Sequence, residues 1–315
     1  MKAPFPYAGG KSAVAPLVWK ALGQPKHYIE PCFGSGAVLL ARPNPDPASH
    51  IETINDADGF VANAWRAMQF APDEVARWCD WPPNHADLSA RKIRLIENKQ
   101  PLLDGLIADP EWFDAKLAGY WIWAASCWIG TGLTRIGQIP HLGHAGKGVH
   151  AIGQRPHLTD AGKGVQEPYG THIYDWFRQI SERLRYVRVV CGDWSRVCGG
   201  NWQDSKGTVG IFFDPPYAVS DRDSVYEVED FNVAHDIRAW AIERGDRPSY
   251  RIVIAGYEEH RDELLAANWT LQTWKADGGY ANISGAKSSR GKDNKHRECL
   301  YFSPHCLNNA QGAML

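Results

Sequence analysis

Residues 209–213, Val-Gly-Ile-Phe-Phe, form an unbroken apolar run that stops at Asp214-Pro215-Pro216-Tyr217. A short continuous run bounded by turn residues predicts a strand buried on both faces. Such a strand belongs inside an open α/β sheet, where ligands bind beyond the carboxyl ends of the strands. Asp214 is then aimed at a crevice. The two prolines fix φ and remove two amide donors, which leaves carbonyls and a carboxylate as a rigid, acceptor-only surface. That surface suits a group presenting only N–H donors, namely an exocyclic amine. Tyr217 adds a flat face on which a planar base can stack.

Around this run the α/β rhythm is interrupted. Helices over Ser12–Leu22, from Ala37 to Ala41 and over Gly59–Phe70 alternate with strands His27–Pro31 and Ile51–Asn55. The rhythm resumes with helix Ile173–Leu184, strand Val187–Cys191, helix Val233–Arg244, strand Arg251–Ala255 and helix Glu258–Ala267. Strands near Trp269–Trp274 and Glu298–Phe302 complete the set. In between, Pro72–Asp80, Ala86–Asn98 and Trp112–Cys127 read as helices, and residues 130–170 are glycine-rich without periodicity. Within that stretch Ile136–Val149 recurs as Ile152–Val165, with eleven of fourteen positions identical at an offset of sixteen. Two copies are too few for a solenoid, so a duplicated loop or hairpin is expected. The pattern is one α/β unit in two pieces, 1–66 and 172–315, split by a helical and Gly-rich insertion at 67–171.

Two further segments carry site chemistry. In Glu30-Pro31-Cys32-Phe33-Gly34-Ser35-Gly36 the glycines follow a strand, where they let backbone approach a ligand and open a helix toward it. Asp56 comes twenty residues after Gly36, the interval expected of a carboxylate that binds ribose hydroxyls. The full dinucleotide fingerprint is absent, because Leu39 fills its third glycine position. Tyr7-Ala8-Gly9-Gly10-Lys11-Ser12 is not a phosphate-binding P-loop, since Phe5 stands at that motif's first glycine. Lys11 can still pair with a carboxylate, and Tyr7 can pack on a ligand.

Composition enters as a constraint on partners. With 34 Lys+Arg against 36 Asp+Glu, the net charge is 34 − 36 = −2. Binding to nucleic acid, which draws on phosphate neutralisation, then requires cations gathered locally. Two segments do so: Arg135, Lys147, Arg155 and Lys163 around the repeat, and Lys287, Arg290, Lys292 and Lys295 within 287–297. The 14 Trp read mainly as core aromatics, with base stacking as the alternative. The 7 Cys form no CxxC pair, which favours reduced, buried cysteines in a cytoplasmic protein. The histidines of the repeat have no Cys or carboxylate at ligand spacing, so no metal is expected. No apolar run approaches the roughly 18 residues of a membrane span, so no membrane partner is expected either.

Taken in order, Tyr7–Lys11, Glu30–Gly36, Asn55-Asp56, Gly192-Asp193 and Asp214–Tyr217 resemble the motifs of the Dam-type, alpha-class DNA adenine methyltransferases. The resemblance covers residues 4–66 and 172–303, including the closing Glu298-Cys299-Leu300-Tyr301-Phe302-Ser303-Pro304. It implies a Rossmann-like, mixed-sheet methyltransferase domain with an inserted target-recognition domain. It also implies S-adenosylmethionine as cofactor and double-stranded DNA as partner of a monomer or weak dimer. Methyl transfer would be to N6 of an adenine flipped out of the duplex, since the base cannot be reached within the stack.

By motif, Tyr7, Gly9, Gly10 and Lys11 would hold the cofactor's methionine end, with Glu30, Pro31, Cys32, Gly34, Ser35 and Gly36 as its loop. Asp56 would bind the ribose and Asp193 the cofactor's adenine amine. Asp214, Pro215, Pro216 and Tyr217 would carry catalysis, with Asp214 also lining the cofactor site. Two departures stand out. The family usually has Phe where Cys32 stands, and its R-F-N…G-x-F-N-x-P-F-G reading hairpin is replaced here by the duplicated segment, so no recognition sequence is implied. Transfer to another amine (RNA adenine or cytosine N4) and a non-catalytic DNA-binding relative are the alternatives.

Overall fold

The computed structural model describes residues 1–5, 7, 10–82, 84–128, 133–134, 172–199, 207–215, 233–257, 261–274 and 298–307. Seven strands form one mixed sheet: β1 (His27–Glu30), β2 (Ile51–Asp56), β3 (Arg188–Cys191), β4 (Val209–Phe213), β5 (Tyr250–Tyr257), β6 (Thr270–Thr273) and β7 (Glu298–Phe302). Their order is β3-β2-β1-β4-β5-β7-β6. The first five strands are mutually parallel, and β7 runs antiparallel between β5 and β6. The order reverses between β1 and β4, the place where an open doubly wound sheet leaves a crevice.

Side-chain alternation explains why both sheet faces are covered. Tyr28, Phe212, Val253, Ala255, Leu300 and Phe302 enter one core, together with α1 (Ala15–Leu22), α2 (Ala37–Leu40) and α3 (Gly59–Phe70). Ile29, Ile211, Phe213, Ile252, Ile254 and Tyr301 enter the other. That second core is closed by α9 (Ser195–Cys198), α10 (Val233–Gly245) and α11 (Arg261–Ala266). All five residues of β4 are buried, as the apolar run predicts. Gly210 has no room for a side chain, because a Cβ there would lie 2.6 Å from Pro25.

The middle of the chain is helical: α4 (Pro72–Cys79), α5 (His85–Glu97), α6 (Lys99–Ala108), α7 (Ala115–Cys127) and α8 (His172–Leu184). Three of these starts have a local cause. Pro72 opens α4 in the first turn, where its missing N–H costs nothing. The Asn84 side chain caps α5 by accepting from Asp87 N at 2.8 Å. Asp114 caps α7 by accepting from Leu117 N at 2.8 Å, so that helix begins at Ala115 rather than at Trp112.

Helix α6 is absent from the sequence reading. Pro101 and Gly105 interrupt its pattern, yet Pro101 sits in the first turn, where proline is tolerated. Gly105 is required by packing, since a Cβ would lie 2.7 Å from the Trp112 ring. These helices share the first core with the sheet, through Val75, Leu95, Leu102, Trp121 and Trp123. Arg66, buried on α3, ties them to the edge strand: its guanidinium donates to the carbonyls of Asp109, Trp112 and Val189. Trp19, Trp65, Trp121, Trp123, Trp128 and Trp269 are core residues. All seven cysteines are free, and six of them are buried.

Candidate active site at the carboxyl ends of the parallel strands

Parallel registry brings the ends of β1, β2, β3 and β4 to one edge. Glu30 is level with Ile54, Asp56 with Cys191, and Ile29 with Ile211. The residues that leave these strands, Pro31–Gly36, Ala57-Asp58, Gly192-Asp193 and Asp214-Pro215, therefore form adjacent loops. These are the segments singled out in the sequence, and the fold gathers them from four separate stretches of chain.

The contact joining the most distant of them is an ion pair. Lys11 Nζ lies 2.9 Å from Asp214 Oδ2, with the two side chains 3% and 16% exposed. The pair fixes the Asp214 carboxylate at the mouth of the switch-point crevice, next to a proline that offers no amide donor.

The glycine loop is organised by Asp56. Gly34 N donates to Asp56 Oδ2 at 2.8 Å, and Asp58 N donates to Oδ1 at 2.9 Å. The amides of Ala57 and Phe33 also favour this carboxylate. Burial pushes the Asp56 carboxyl up to about 6, against the opposing pull of the Gly34 and Asp58 amides. Gly34 and Gly36 adopt left-handed φ of 49° and 68°. A Cβ on Gly34 would lie 2.7 Å from the Tyr7 ring, and one on Gly36 would lie 2.6 Å from Phe33. Tyr7 is thus seated directly on the glycine loop. Trp65 Nε1 clamps the same loop from below, donating to Gly34 O at 2.8 Å.

Glu30 is 2% exposed and accepts from Tyr28 OH at 2.7 Å. Burial raises its carboxyl well above the usual range; the Tyr28 hydrogen bond opposes that rise and the Asp214 charge adds to it. Burial likewise raises the Cys32 thiol, reinforced by Asp56 and Asp214, so Cys32 is an inert neutral group in this acidic surround. Asp193 differs from the other carboxylates. It is exposed, and it accepts from Ser195 N at 2.9 Å and from the Ser195 hydroxyl, which starts α9.

Two residues of this edge have roles that the sequence reading does not assign. Asn55 Nδ2 donates to Pro31 O and to Gly192 O, both at 2.9 Å, and so brackets the loops after β1 and β3. A buried Asn near the end of a strand, a residue type that strands disfavour, was the available signal. Trp194, next to Asp193, packs edge-on against Phe213 and Trp240, with ring centroids 6.0 and 5.9 Å away. It forms a fixed aromatic wall at the same edge.

Gly10, Pro31 and Ser35 lie within the described loops. Gly9, Pro216 and Tyr217 lie outside the described residues, as do all the proposed DNA contacts: Arg135, Lys147, Arg155, Lys163, Lys287, Arg290, Lys292 and Lys295. Among the described residues there is no metal-binding group of three His, Cys, Asp or Glu, and no helix is long and apolar enough to cross a membrane. No protein-family model and no curated protein matches the chain.

Proposed function

We propose that the protein is an S-adenosylmethionine-dependent DNA methyltransferase acting on the N6 amine of an extruded adenine, with the helices and the Gly-rich segment of 67–171 as its target-recognition insertion. The observation that carries this reading is the Lys11–Asp214 ion pair. It joins the first and last motifs of the resemblance at the switch point, with Glu30, Asp56 and Asp193 on the same edge.

The charge of that edge fits the cofactor. Among the described residues its carboxylates, Glu30, Asp56, Asp193 and Asp214, outnumber its cations, Lys11 and Arg196, and S-adenosylmethionine is cationic at both sulfur and ammonium. Asp56, at the end of β2, would face the ribose diol, and exposed Asp193 would accept from an adenine amine. The glycine loop is packed by Tyr7, Phe33 and Trp65, which occupy the space that a Cβ on Gly34 or Gly36 would take. When bound, the cofactor supplies an electrophilic methyl on a positively charged sulfur.

The chain's own residues deal with the amine. An adenine amine is a poor nucleophile because its lone pair is delocalised into the ring. Asp214 and the Pro215 carbonyl accept its two hydrogens, which favours a pyramidal nitrogen with a directed lone pair. Lys11 holds Asp214 in place, so alignment is established before reaction; such alignment contributes roughly 7–11 kcal/mol in well-oriented systems. As the N–C bond forms and the C–S bond breaks, the amine sheds one proton, and the Asp214 carboxylate is placed to take it. Tyr217 would stack on the base.

The test is to incubate the full chain with methyl-labelled S-adenosylmethionine and unmethylated duplex DNA, then digest to nucleosides. Label in N6-methyladenine is expected. Label confined to another nucleoside, or to RNA in a parallel reaction, overturns the substrate assignment; no transfer to any of them overturns the reading.

A further inference from the structure

A cleft of about 280 Å³ lies away from the strand edge, between α4, α5 and α7. Its walls combine the rings of Trp78, Trp81 and Tyr120 with the cations Arg91, Arg94 and Lys116. The floor is Arg91, only 6% exposed. Its guanidinium lies 4.2 Å from the Trp123 ring centre and 4.4 Å from that of Tyr120, and it donates to Trp78 O at 2.8 Å. Lys116 Nζ sits 4.6 Å above the Trp78 ring.

Among the described residues neither Arg91 nor Lys116 forms an ion pair. Arg94 has only an exposed contact of 3.6 Å with Glu97, of the kind worth little in water. The single carboxylate in the cleft wall, Asp87, is already engaged by Trp81 Nε1 and by the Asn84 side chain. Trp78 Nε1 is a buried donor with no acceptor among the described residues. The cleft thus offers cations, spare donors and an open indole face, Trp81 being 43% exposed. Its volume is near the lower end of small-ligand sites.

From this we infer that the cleft binds a nucleotide unit, with its phosphate between Arg94 and Lys116 and its base on the Trp81 face, carried by an unpaired nucleic-acid strand. Arg91 supplies positive potential from beneath but remains a packing residue. The flat indole accepts any base by stacking, while the two outer cations track the backbone. The inference rests on the proposed function only in taking a nucleic acid as the carrier. Binding is read without cofactor, so failure of methyl transfer and failure of this site are separate results.

The experiment is fluorescence anisotropy of a labelled single-stranded oligothymidylate with the full chain, over a range of salt concentrations. Trp81→Ala is expected to weaken binding about tenfold, the scale of one lost base stack. The double variant Arg94→Ala/Lys116→Ala is expected to reduce the slope of log K against log salt by about 0.7, the value for one phosphate contact on a single strand. Unchanged thermal transitions in both variants exclude misfolding as the cause. Competition by thymidine monophosphate equal to that of the strand, lost in the same variants, would assign the site to a free nucleotide and support the nucleotide chemistry. Affinity and slope unchanged in both variants, or no binding at all, would overturn it.

Discussion

The strand edge and the helical cleft bury charge of opposite sign by opposite means. At the edge, Glu30, Asp56 and Asp214 sit in or beside loops, held by a phenol, by backbone amides and by one lysine. In the cleft, Arg91 and Lys116 sit over aromatic rings of two helices, α4 and α7. Burial pushes the Glu30 and Asp56 carboxyls toward the neutral acid, and a cationic ligand beside them favours the ionised form. Cations on ring faces are compensated in place, so the cleft floor is already stable and only its outer rim remains to be used. The net charge of −2 is therefore a sum over regions that differ in sign and in purpose.

Variants should separate the two. The largest effect is expected from Asp214→Ala, which should lower methyl transfer by about 10²-fold or more, the scale of a positioned proton acceptor. The same substitution takes the carboxylate away from buried Lys11 and should also lower the thermal transition. Transfer is therefore compared at a temperature where the variant is folded, and transfer retained there would make Asp214 a structural residue instead. Arg91→Ala should do the reverse. Removing a guanidinium enclosed by rings costs about 2 kcal/mol for the cation–π contacts alone, measurable as a lower urea midpoint, while cofactor binding stays unchanged. Gly34→Ala should cost about 1–2 kcal/mol for the left-handed backbone and should also weaken cofactor binding, because its methyl displaces Tyr7. An effect on stability alone would detach Tyr7 from the cofactor.

The smallest effect concerns pH. Glu30 and Asp56 bind protons more tightly folded than unfolded. Stability therefore falls as pH rises from the unfolded carboxylate range through the folded values, which for Asp56 means from about 4 to about 6. Glu30→Gln should flatten part of that decline in ligand-free protein and change stability at neutral pH by less than about 1 kcal/mol. An unaltered pH profile, followed by thermal melts, would show that Glu30 is not the proton carrier.

Much of the edge was legible in sequence because it is written locally. An apolar run ending in Asp-Pro-Pro, and glycines after a strand, each report their own backbone. The Lys11–Asp214 pair was not legible, since nothing in either segment encodes a partner near the other end of the chain. Helix α6 was hidden because Pro101 and Gly105 break the pattern that local propensity reads, while Trp112 packing and the first-turn position make both acceptable. Arg91 reads as a solvent-facing residue of an amphipathic helix, yet Tyr120 and Trp123, from a helix with no sequence tie to it, cover it. What the sequence conceals in each case is tertiary partnership.

The central claim is that the carboxylates at the ends of β1, β2 and β4 form a site for a cationic cofactor. Calorimetric titration of the full chain with S-adenosylmethionine between pH 5 and pH 8 tests it most directly. Affinity should rise as pH increases through about 6, where Asp56 ionises, and level off above it, with Asp56→Asn weakening binding and removing the rise. Absence of binding, or an affinity indifferent to both pH and Asp56, would contradict the account.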